Sequence, residues 1–368
     1  MSRVLIINPI LYTSETNSIP KVKSIKDTMI YVLCLGFIKE GQEVTLIAAE
    51  DYRPAGDEQY DFPIIWMKTV WHGIFQPRCL PYMPELRGYL KRHTEYDYVI
   101  SSEMFGTWSY TAARVCPRKT IIWHELAKHH NMLHRIPSRV WYGIVARFMM
   151  RAVTVVPRSK AAADFIRHFS CNVSDTIIDH GVNVDKMIPA GAESKKDQFV
   201  VVSQLIGRKR IDLTIERFAK FYDGGHSGYR LYIIGRGELG EELKEQVKHL
   251  QLGDTVVFCG QLTHEELMPI VAQSKALLVS TEKDNNMVSI VESIAVGTPV
   301  ITTSVPYNAY YIEKDKLGIV DDHWDAHTLE QICENHALYR ANCVKYRDKL
   351  SNVYCAGQFI SVMSDSLK

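Results

Sequence analysis

The chain alternates predicted strands and helices in two series, and a polar segment separates them. The first series opens with a strand at 4–8, a helix at 28–38 and a second strand at 44–48, which is the beginning of a β-α-β unit. The segment 189–198 contains a proline, a glycine and two lysines and is the best linker in the sequence. The pattern therefore predicts an α/β protein with two similar domains, each built on a doubly wound parallel sheet.

The remaining predicted strands place the two domains along the chain. In the first domain they lie at 63–67, 98–101, 120–123, 153–156 and 176–178, and in the second at 199–203, 229–234, 256–259, 277–279 and 300–302. We expect domains at 1–190 and 191–337, followed by a helical tail at 338–368 that crosses back to the first domain. Doubly wound sheets bind ligands beyond the carboxyl ends of their strands, so a cleft between the facing domains is the expected site.

Composition argues against several classes of protein. The chain has eight cysteines but no C-x-x-C pair, which disfavours a disulfide framework or a structural zinc site. It has no apolar run long enough for a membrane span, and its first residues lack the layout of a secretion signal. We therefore expect a cytoplasmic protein with free thiols.

Basic residues concentrate in one segment of the first domain. Between 114 and 167 the sequence has eleven basic residues and two acidic ones. Within it, Arg135, Arg139, Arg147 and Arg151 alternate with Trp141, Tyr142, Phe148, Met149 and Met150. Such a band is typical of a protein that lies at an anionic membrane surface, here the inner face, or binds a phosphate-bearing partner. A helix with its aromatic side packed inward and its arginines in water remains the alternative. No stacking module accompanies the band, so we expect no nucleic-acid partner.

The segment after residue 276 places a lone carboxylate in an apolar setting. It predicts a buried strand, a polar loop, a helix at 287–296 and a further strand. The helix is apolar nearly all round, except for a polar stripe of Ser289, Glu292 and Ser293. A buried carboxylate needs hydrogen-bond donors, so Glu292 either binds ligand hydroxyls or pairs with a core arginine or backbone amides.

The start of the same helix is suited to an anion. Asn286 is the expected N-cap, and the first free amides lie near Met287, Val288 and Ser289. A phosphate at these amides, beside hydroxyls at Glu292, indicates a nucleotide sugar as the ligand.

Two further groups of side chains follow strand ends. Arg208, Lys209 and Arg210 come after the strand at 199–203, where they either bind a diphosphate or form a solvated basic turn. His124 follows the last residue of another strand and is expected to face the cleft, although a satisfied loop histidine is the alternative.

Three motifs are set aside because of their spacing. Residues 235–240 match G-x-G-x-x-G, but no acidic residue ends the following strand, so we interpret the glycines as a tight turn rather than a nicotinamide site. The histidine-rich stretch after His124 does not form H-E-x-x-H, because Lys128 stands at the second histidine position. Asp321 and Asp322 lie past these motifs and are assigned no metal.

Together these motifs resemble the family-4 retaining glycosyltransferases, which have the GT-B fold of two facing Rossmann-like domains. The resemblance spans residues 120–305. In the family, an arginine and a lysine five positions later hold the diphosphate after the first strand of the second domain. Here Lys209 matches the lysine, Gln204 stands at the arginine position and Arg208 compensates.

The family's E-x7-E element is represented by Asp284 and Glu292, with aspartate in place of the first glutamate. The segment 178–183 is similar to the family's approach to the interdomain crossover. One departure lies in the first domain, where the family has a Gly-Gly loop near the phosphates. Here Thr13 and Ser14 stand in that loop and would substitute through their hydroxyls.

The resemblance implies a role for each site residue. Glu292 would bind the ribose, Lys209 and Arg208 would neutralise the leaving diphosphate, and His124 would contact the sugar. The sugar and phosphates would lie against Asp284 and the backbone of Asn285, Asn286, Met287 and Val288, and the base would border Gly260, Gln261 and Leu262.

The resemblance also implies a reaction. A sugar would move from a nucleotide-sugar donor to the hydroxyl of a glycan or lipid-linked acceptor, with retention, in the synthesis of surface polysaccharide or glycolipid. Cations and helix amides would stabilise the leaving group without a metal or cofactor, and the leaving phosphate would act as the base. Two alternatives stay open: a sugar-nucleotide epimerase on the same fold, and a nucleotide-binding partner protein without activity, which Gln204 and Asp284 would suit.

Overall fold

The computed structural model describes residues 1–12, 18–19, 21–56, 58–127, 136–189 and 191–366. The chain divides into two compact units. The first unit combines residues 1–181 with the segment that begins at Asn352, and the second contains residues 182–351. These boundaries differ from the expected 190 and 337. The difference arises because the two ends of the second unit bond to each other, the amide of Val182 donating to the carbonyl of Leu350 over 2.9 Å.

The first unit is built on a six-stranded parallel sheet in the order β3-β2-β1-β4-β5-β6. Its strands are β1 (Arg3–Ile7), β2 (Glu43–Ala49), β3 (Ile64–Met67), β4 (Tyr98–Ser102), β5 (Thr120–His124) and β6 (Thr154–Pro157). Its helices are α1 (Met29–Lys39), α2 (Glu85–Arg92), α3 (Thr107–Val115), α4 (Ile136–Val140) with a π-helical continuation (Trp141–Met149), and α5 (Lys160–Ile166).

The strand predicted at 176–178 is wrong. The amide of Ile178 donates to the carbonyl of Pro157 over 3.0 Å, and a single parallel bridge joins Val173 to Val155. A strand needs a continuous ladder of such bonds. The chain therefore touches β6 at separate points without adding a seventh strand there.

The second unit has a parallel sheet in the order β12-β11-β10-β7-β8-β9. Its strands are β7 (Gln198–Val202), β8 (Arg230–Ile234), β9 (Val256–Gly260), β10 (Ala276–Leu278), β11 (Val300–Thr302) and β12 (Gly318–Val320). Its helices are α6 (Ile211–Asp223), α7 (Gly240–His249), α8 (His264–Gln273), α9 (Val288–Ala295), α10 (Ala309–Lys314), α11 (Ala326–Glu334) and α12 (His336–Tyr346).

Both sheets have the same topology. Counted from its own first strand, each sheet has the order 3-2-1-4-5-6, which is the doubly wound arrangement. The order reverses between β1 and β4 in the first unit and between β7 and β10 in the second. The predicted fold class is therefore confirmed, and each unit has a switch point at which ligands of such sheets bind.

The strands are buried on both faces, as parallel strands covered by helices require. Along β1, Val4 and Ile6 pack into the core that contains α1, whereas Leu5 and Ile7 pack into the core that contains α2 and α3. Successive side chains of a strand point to opposite faces, so both sets must be apolar. This explains why the strands appear in the sequence as continuous apolar runs.

The last helix, α13 (Asn352–Ser366), completes the core of the first unit. The side-chain amide of Asn352 donates to the carbonyl of Val32 over 2.8 Å, and the rings of Phe37 and Phe359 lie 5.9 Å apart. Gly36 permits the close approach of α13 to α1, because a Cβ there would lie 2.2 Å from the carbonyl oxygen of Asn352. The return of the chain to the first unit therefore begins at Asn352.

Candidate functional site

In the second unit, the loops after β7 and β10 meet beyond the carboxyl ends of these neighbouring strands. The amide of Glu282 donates to the carbonyl of Arg208 over 2.9 Å, which joins the two loops through their backbones. The sequence predicts diphosphate-binding residues on one of these loops and sugar-binding residues on the other. The structure brings them together at the switch point.

Asp284 is the centre of a charged cluster. Its Oδ2 accepts hydrogen bonds from Nζ of Lys209, from Nη1 of Arg208 over 3.1 Å and from the hydroxyl of Thr281 over 3.2 Å. The side chains of Lys209 and Asp284 are only 9% and 14% exposed, so water screens this pair weakly. Among these three side chains one carboxylate faces two cations, an arrangement that favours the binding of a further anion.

Arg210, the third cation of this turn, binds other partners. Its backbone is left-handed, with φ of 49°, and its guanidinium donates to Asp212 over 3.0 Å and to Glu282. Hydrogen bonds to Asp212, and then to Glu282, raise the pKa of Arg210. The three predicted cations therefore have different partners: of the three, Lys209 and Arg208 bond to Asp284, and Arg210 does not.

Helix α9 begins one residue later than predicted. Its N-cap is Met287 rather than Asn286, and the amide of Met287 donates to Oδ1 of Asn308 over 2.7 Å. The expectation that this amide binds an anion is therefore wrong, because Asn308 already accepts its hydrogen bond. The amides of Val288 and Ser289 are the first of the helix and have no acceptor inside it, so an anion would meet these two.

Glu292 is paired with a histidine that the sequence analysis does not single out. Nε2 of His264 lies 3.1 Å from Oε1 of Glu292, whose side chain is 16% exposed. His264 is the first residue of α8 and directly follows the N-cap Thr263, which forms a capping box with Glu266. Its position in the sequence could have identified it, because His264 begins a helix directly after the loop that is predicted to border the base.

The other residues predicted for donor binding lie at or after the ends of β7, β9 and β10. Gly260 ends β9 with φ of 68°, a conformation that glycine adopts without strain. Gln261 and Gln204 are exposed, Leu262 packs against the core, and Asn285 is buried with its carbonyl accepting from the amide of Tyr307 over 2.7 Å. Thr13 and Ser14 lie outside the described residues.

The G-x-G-x-x-G segment forms the tight turn predicted from its sequence. Gly235 has φ of 135°, and a Cβ there would lie 1.9 Å from the carbonyl oxygen of Ser203. A Cβ on Gly237 would lie 2.3 Å from the carbonyl oxygen of Leu205. The glycines therefore allow the turn after β8 to pass directly beside the loop after β7, which leads to Lys209.

In the first unit, His124 is the last residue of β5, and its side chain is fully buried. The sequence predicts a histidine at a ligand-facing edge, and the structure covers that histidine with protein. Its Nδ1 lies 3.2 Å from Oε2 of Glu103, close enough for an ion pair but not aligned for a hydrogen bond. Among the described residues, its Nε2 has no hydrogen-bond partner.

Glu103 follows β4 and supports the loop after β5. Its carboxylate accepts hydrogen bonds from the amides of Glu125, over 2.9 Å, and Leu126, over 3.4 Å. Its backbone is left-handed, with φ of 61°, a conformation that strains residues other than glycine by about 1–3 kcal/mol. Nearby, burial raises the pKa of the Tyr142 hydroxyl, and the charge of Glu103 raises it further. The sequence analysis does not identify Glu103.

A second buried histidine lies near the same edge. The ring of His180 meets the ring of Trp123 edge-on, with 6.1 Å between centroids. Burial lowers the pKa of His180 to about 4, and the neighbouring positive charge of Arg158 contributes. His180 is therefore neutral in the folded protein near pH 7.

The basic aromatic band forms α4 and its π-helical continuation. Tyr142 and Met150 are buried in the core, as the inward-packed interpretation predicts. On the outer side, Ile136, Val140, Ile144 and Phe148 are 76%, 51%, 55% and 63% exposed. These four residues are spaced four apart along the chain. They stay on nearly one face of the helix because a π-helical turn contains more residues than an α-helical turn. The band therefore has an exposed apolar row, which the sequence analysis does not predict, beside the exposed Arg139, Arg147 and Arg151.

Several predictions concern residues or groups beyond this edge. Arg135, Lys128 and the histidines at 129, 130 and 134 lie outside the described residues.

In the described part of the chain, no group of three or more His, Cys, Asp and Glu side chains is arranged to hold a metal ion. All eight cysteines are free; Cys34, Cys343 and Cys355 are buried, whereas Cys79 and Cys171 are exposed. No helix in the described ranges is both long and apolar enough to cross a membrane.

Comparison with known proteins matches two family models to consecutive parts of the chain. Residues 27–186 match Glycosyltransferase Family 4, and residues 185–340 match Glycosyl transferases group 1. Among curated proteins, the chain is 24% identical over 222 residues to alpha-monoglucosyldiacylglycerol synthase of Streptococcus pneumoniae, a match that covers 54% of this chain and 49% of the relative. It is 25% identical over 263 residues to lipopolysaccharide glucosyltransferase WaaG of Escherichia coli, covering 66% of this chain and 68% of that protein.

Among solved structures, the chain is similar to Anabaena HepE in complex with UDP, with a TM-score of 0.68 and 15% identity over 99% of this chain and 100% of that one. At this identity the likeness shows the fold, which is the GT-B fold of two Rossmann-like domains. The two matched family models together extend over residues 27–340. The chain belongs to the family-4 glycosyltransferases with the GT-B fold.

Proposed function

We propose that this protein transfers a hexosyl group from a UDP-sugar to an acceptor hydroxyl with retention of the anomeric configuration. The observation that carries the proposal is the cluster of Lys209, Arg208 and Asp284 beside the first turn of α9. Family membership gives the class of reaction. The choice of UDP rests on HepE, a fold neighbour that was solved in complex with UDP.

The cluster suits a diphosphate leaving group. Negative charge on the nucleoside diphosphate increases as the glycosidic bond breaks, and Lys209 and Arg208 neutralise it. The amides of Val288 and Ser289 donate to the same phosphates from the helix end. Asp284 already bonds to both cations, so the diphosphate shares them with this carboxylate.

Two further groups orient the donor. Glu292, held by His264, accepts hydrogen bonds from the ribose hydroxyls. His124, whose side chain is buried here, accepts a hydrogen bond from a hydroxyl of the transferred sugar once donor binding uncovers its Nε2. No side chain is assigned as nucleophile, and the leaving phosphate takes the proton of the acceptor hydroxyl.

The proposed site needs no divalent ion, because two cations and two helix amides supply the charge stabilisation. Transfer should therefore continue in excess EDTA, measured beside a magnesium-dependent glycosyltransferase as control. A strict requirement for Mg²⁺ or Mn²⁺ would contradict this site.

A thermal-shift screen against UDP-, GDP- and ADP-sugars tests donor binding. A ligand at 100 times its dissociation constant stabilises the folded protein by about 2.7 kcal/mol, which is readily measured. Analysis of the products then separates the functions. Transfer to an acceptor supports the proposal, a changed sugar configuration without acceptor indicates an epimerase, and binding without turnover indicates a nucleotide-binding partner.

We further propose that the acceptor is lipid-linked and is met at the inner face of an anionic membrane. The exposed row of Ile136, Val140, Ile144 and Phe148 would enter the interface, and the neighbouring arginines would bind lipid phosphates. The names of the two curated relatives, which refer to a glycolipid and a lipopolysaccharide, support this choice.

Vesicle flotation tests the membrane proposal. Each arginine near an anionic surface contributes about 1 kcal/mol, so replacing Arg139, Arg147 and Arg151 with Gln should release the protein from anionic vesicles. Replacing the exposed Arg87, Lys91 and Arg92 with Gln makes the same change in charge outside the basic segment 114–167 and is the control. Equal and weak flotation of the wild type on neutral and anionic vesicles would favour the solvated-face interpretation.

A further inference from the structure

The carboxylate of Glu103 meets three groups on one short stretch of chain. Its Oε1 accepts from the amide of Glu125 over 2.9 Å, and its Oε2 lies 3.4 Å from the amide of Leu126 and 3.2 Å from Nδ1 of His124. A single carboxylate therefore holds the backbone after β5 and faces the imidazole that ends this strand.

The backbone of Glu103 is fixed as well as its side chain. Its amide donates to the carbonyl of Trp123 over 3.0 Å, which ties the end of β4 to the end of β5. Its φ of 61° lies in the left-handed region, where glycine, asparagine or aspartate is more usual than glutamate. Strained residues of this kind concentrate at functional sites, because the surrounding structure must maintain them.

The imidazole has one nitrogen near a partner and one without. Nδ1 faces Glu103, whereas Nε2 is buried and has no hydrogen-bond partner within the described ranges. Nearly all buried polar atoms in proteins have partners, so an orphaned Nε2 indicates a ligand group. The present alignment of Nδ1 with Oε2 is poor, but hydrogen bonds at catalytic sites often become well aligned only when substrate binds.

We propose that Glu103 is a positioning residue that keeps the proton of His124 on Nδ1. A carboxylate can only accept, so it selects the tautomer in which Nδ1 carries hydrogen and Nε2 carries a lone pair. Nε2 then accepts a hydrogen bond from a hydroxyl of the sugar substrate. The role of Nε2 rests on the proposed function, whereas the selection of the tautomer does not.

Glu103→Gln is the sharpest variant. A glutamine can keep the bond from the Glu125 amide through its oxygen while its amino group donates to Nδ1. The proton of His124 would then move to Nε2, which could no longer accept from a hydroxyl. Nitrogen-15 NMR of protein labelled at histidine reads the tautomer directly, and the signals of His124 are identified by their loss in His124→Asn.

We expect Nδ1 to carry the proton in the wild type and Nε2 in Glu103→Gln. The specific transfer rate, kcat/KM, should fall by up to about 100-fold in Glu103→Gln, the range for misplaced catalytic groups. Glu103→Asp, which keeps the carboxylate, should recover part of that rate. Glu125→Gln, which removes the neighbouring carboxylate that pairs with Arg158, is the matched control and should transfer at nearly the wild-type rate.

A double-mutant cycle separates positioning from mere support of the loop. If Glu103 acts through His124, adding Glu103→Gln to His124→Asn should lower kcat/KM by less than about twofold, because coupled residues are not additive. An additive loss, or an unchanged tautomer in Glu103→Gln, overturns the proposal. If the wild type transfers no sugar at all, the proposed function fails, and the NMR result alone decides the role of Glu103.

Discussion

The two units have the same strand order, yet the carboxyl edges of their sheets are built in different ways. In the second unit, Lys209, Arg208 and Asp284 form a cluster of opposite charges on two loops. In the first unit, the strained Glu103 and the buried His124 form a single carboxylate–imidazole pair after β4 and β5. The topology thus fixes where a site can form, and the loops decide which part of the chemistry it performs.

Under the proposed function, the second unit stabilises charge and the first unit orients the substrate. Charge stabilisation is usually the largest single contribution to catalysis, whereas misplacement of an orienting group has a smaller and more selective effect. Mutations in the two units should therefore differ both in size and in which kinetic constant they change.

The largest effect should come from Lys209→Ala. Loss of this nearly buried cation removes stabilisation of the leaving diphosphate, so turnover should fall by about 100- to 1,000-fold. Lys220→Ala, at an exposed position on α6, is the control. Initial transfer rates at saturating donor provide the measurement. A loss of less than tenfold, together with a larger loss in His124→Asn, would reverse the assignment of the two units.

Asp284→Asn should give the next largest effect and should separate binding from turnover. Turnover should fall by about 100-fold if this carboxylate orients the sugar. UDP should bind at least as tightly as to the wild type, because Lys209 and Arg208 lose their competing anion. Without UDP the variant should melt at a lower temperature, since a nearly buried Lys209 is left without its partner. Thermal shifts with and without UDP test both expectations, and full turnover in this variant would remove Asp284 from the chemistry.

Glu292→Ala should weaken UDP binding by about 1.5–3 kcal/mol, the range for hydrogen bonds to a charged group. His264→Ala should weaken it by only about 0.5–1.5 kcal/mol, because the histidine orients the carboxylate without replacing it. Calorimetry measures both, with the exposed Glu265→Ala on α8 as control. Equal losses in the two variants would mean that His264 itself binds the nucleotide.

Replacing His180 should have the smallest effect on the reaction, because this residue affects the stability of the folded protein instead. Its folded-state pKa of about 4 lies below the unfolded value, so below pH 6.5 only the unfolded chain gains the proton. The contribution of His180 to stability should therefore fall as the pH falls from 6.5 to 4, by about 2 kcal/mol at pH 5, and it opposes that of Asp179, whose folded-state pKa burial raises to about 7. The melting temperature of His180→Asn relative to that of the wild type should therefore rise as the pH falls from 7 to 5. An identical dependence on pH in the two proteins would show that His180 also titrates normally in the folded state.

The sequence predicts the strands of the second unit closely. Four of them begin and end within one residue of their predicted positions, and β11 matches at both ends. Short apolar runs between turn residues leave little freedom in where each strand begins and ends. The strand β12 is missing from the prediction, because its first residue is a glycine and only two apolar residues follow it within the strand. The prediction of 176–178 fails because an apolar run does not reveal whether a neighbouring ladder exists.

The site was predicted less completely than the fold. Motif spacing placed Lys209, Asp284 and Glu292 in one region, but it did not show that Asp284 binds the lysine directly. Glu103 and His264 were missed for a different reason. Each acts through a residue more than 20 positions away along the chain, and neither belongs to a motif that links the two positions.

The two ends of the second unit lie side by side. Val182 pairs with Ser351, and a Cβ on Gly181 would lie 2.8 Å from the Cα of Asn352. In genetic terms, the part of the protein that would hold the nucleotide is an uninterrupted insert within the gene for the first unit. Its two junctions lie side by side in the folded protein, so changing the chain at these two points suffices to exchange it for another insert of the same topology. The order of synthesis follows as well. The ribosome completes residues 182–351 before it makes α13, so the first unit to begin is the last to close its core.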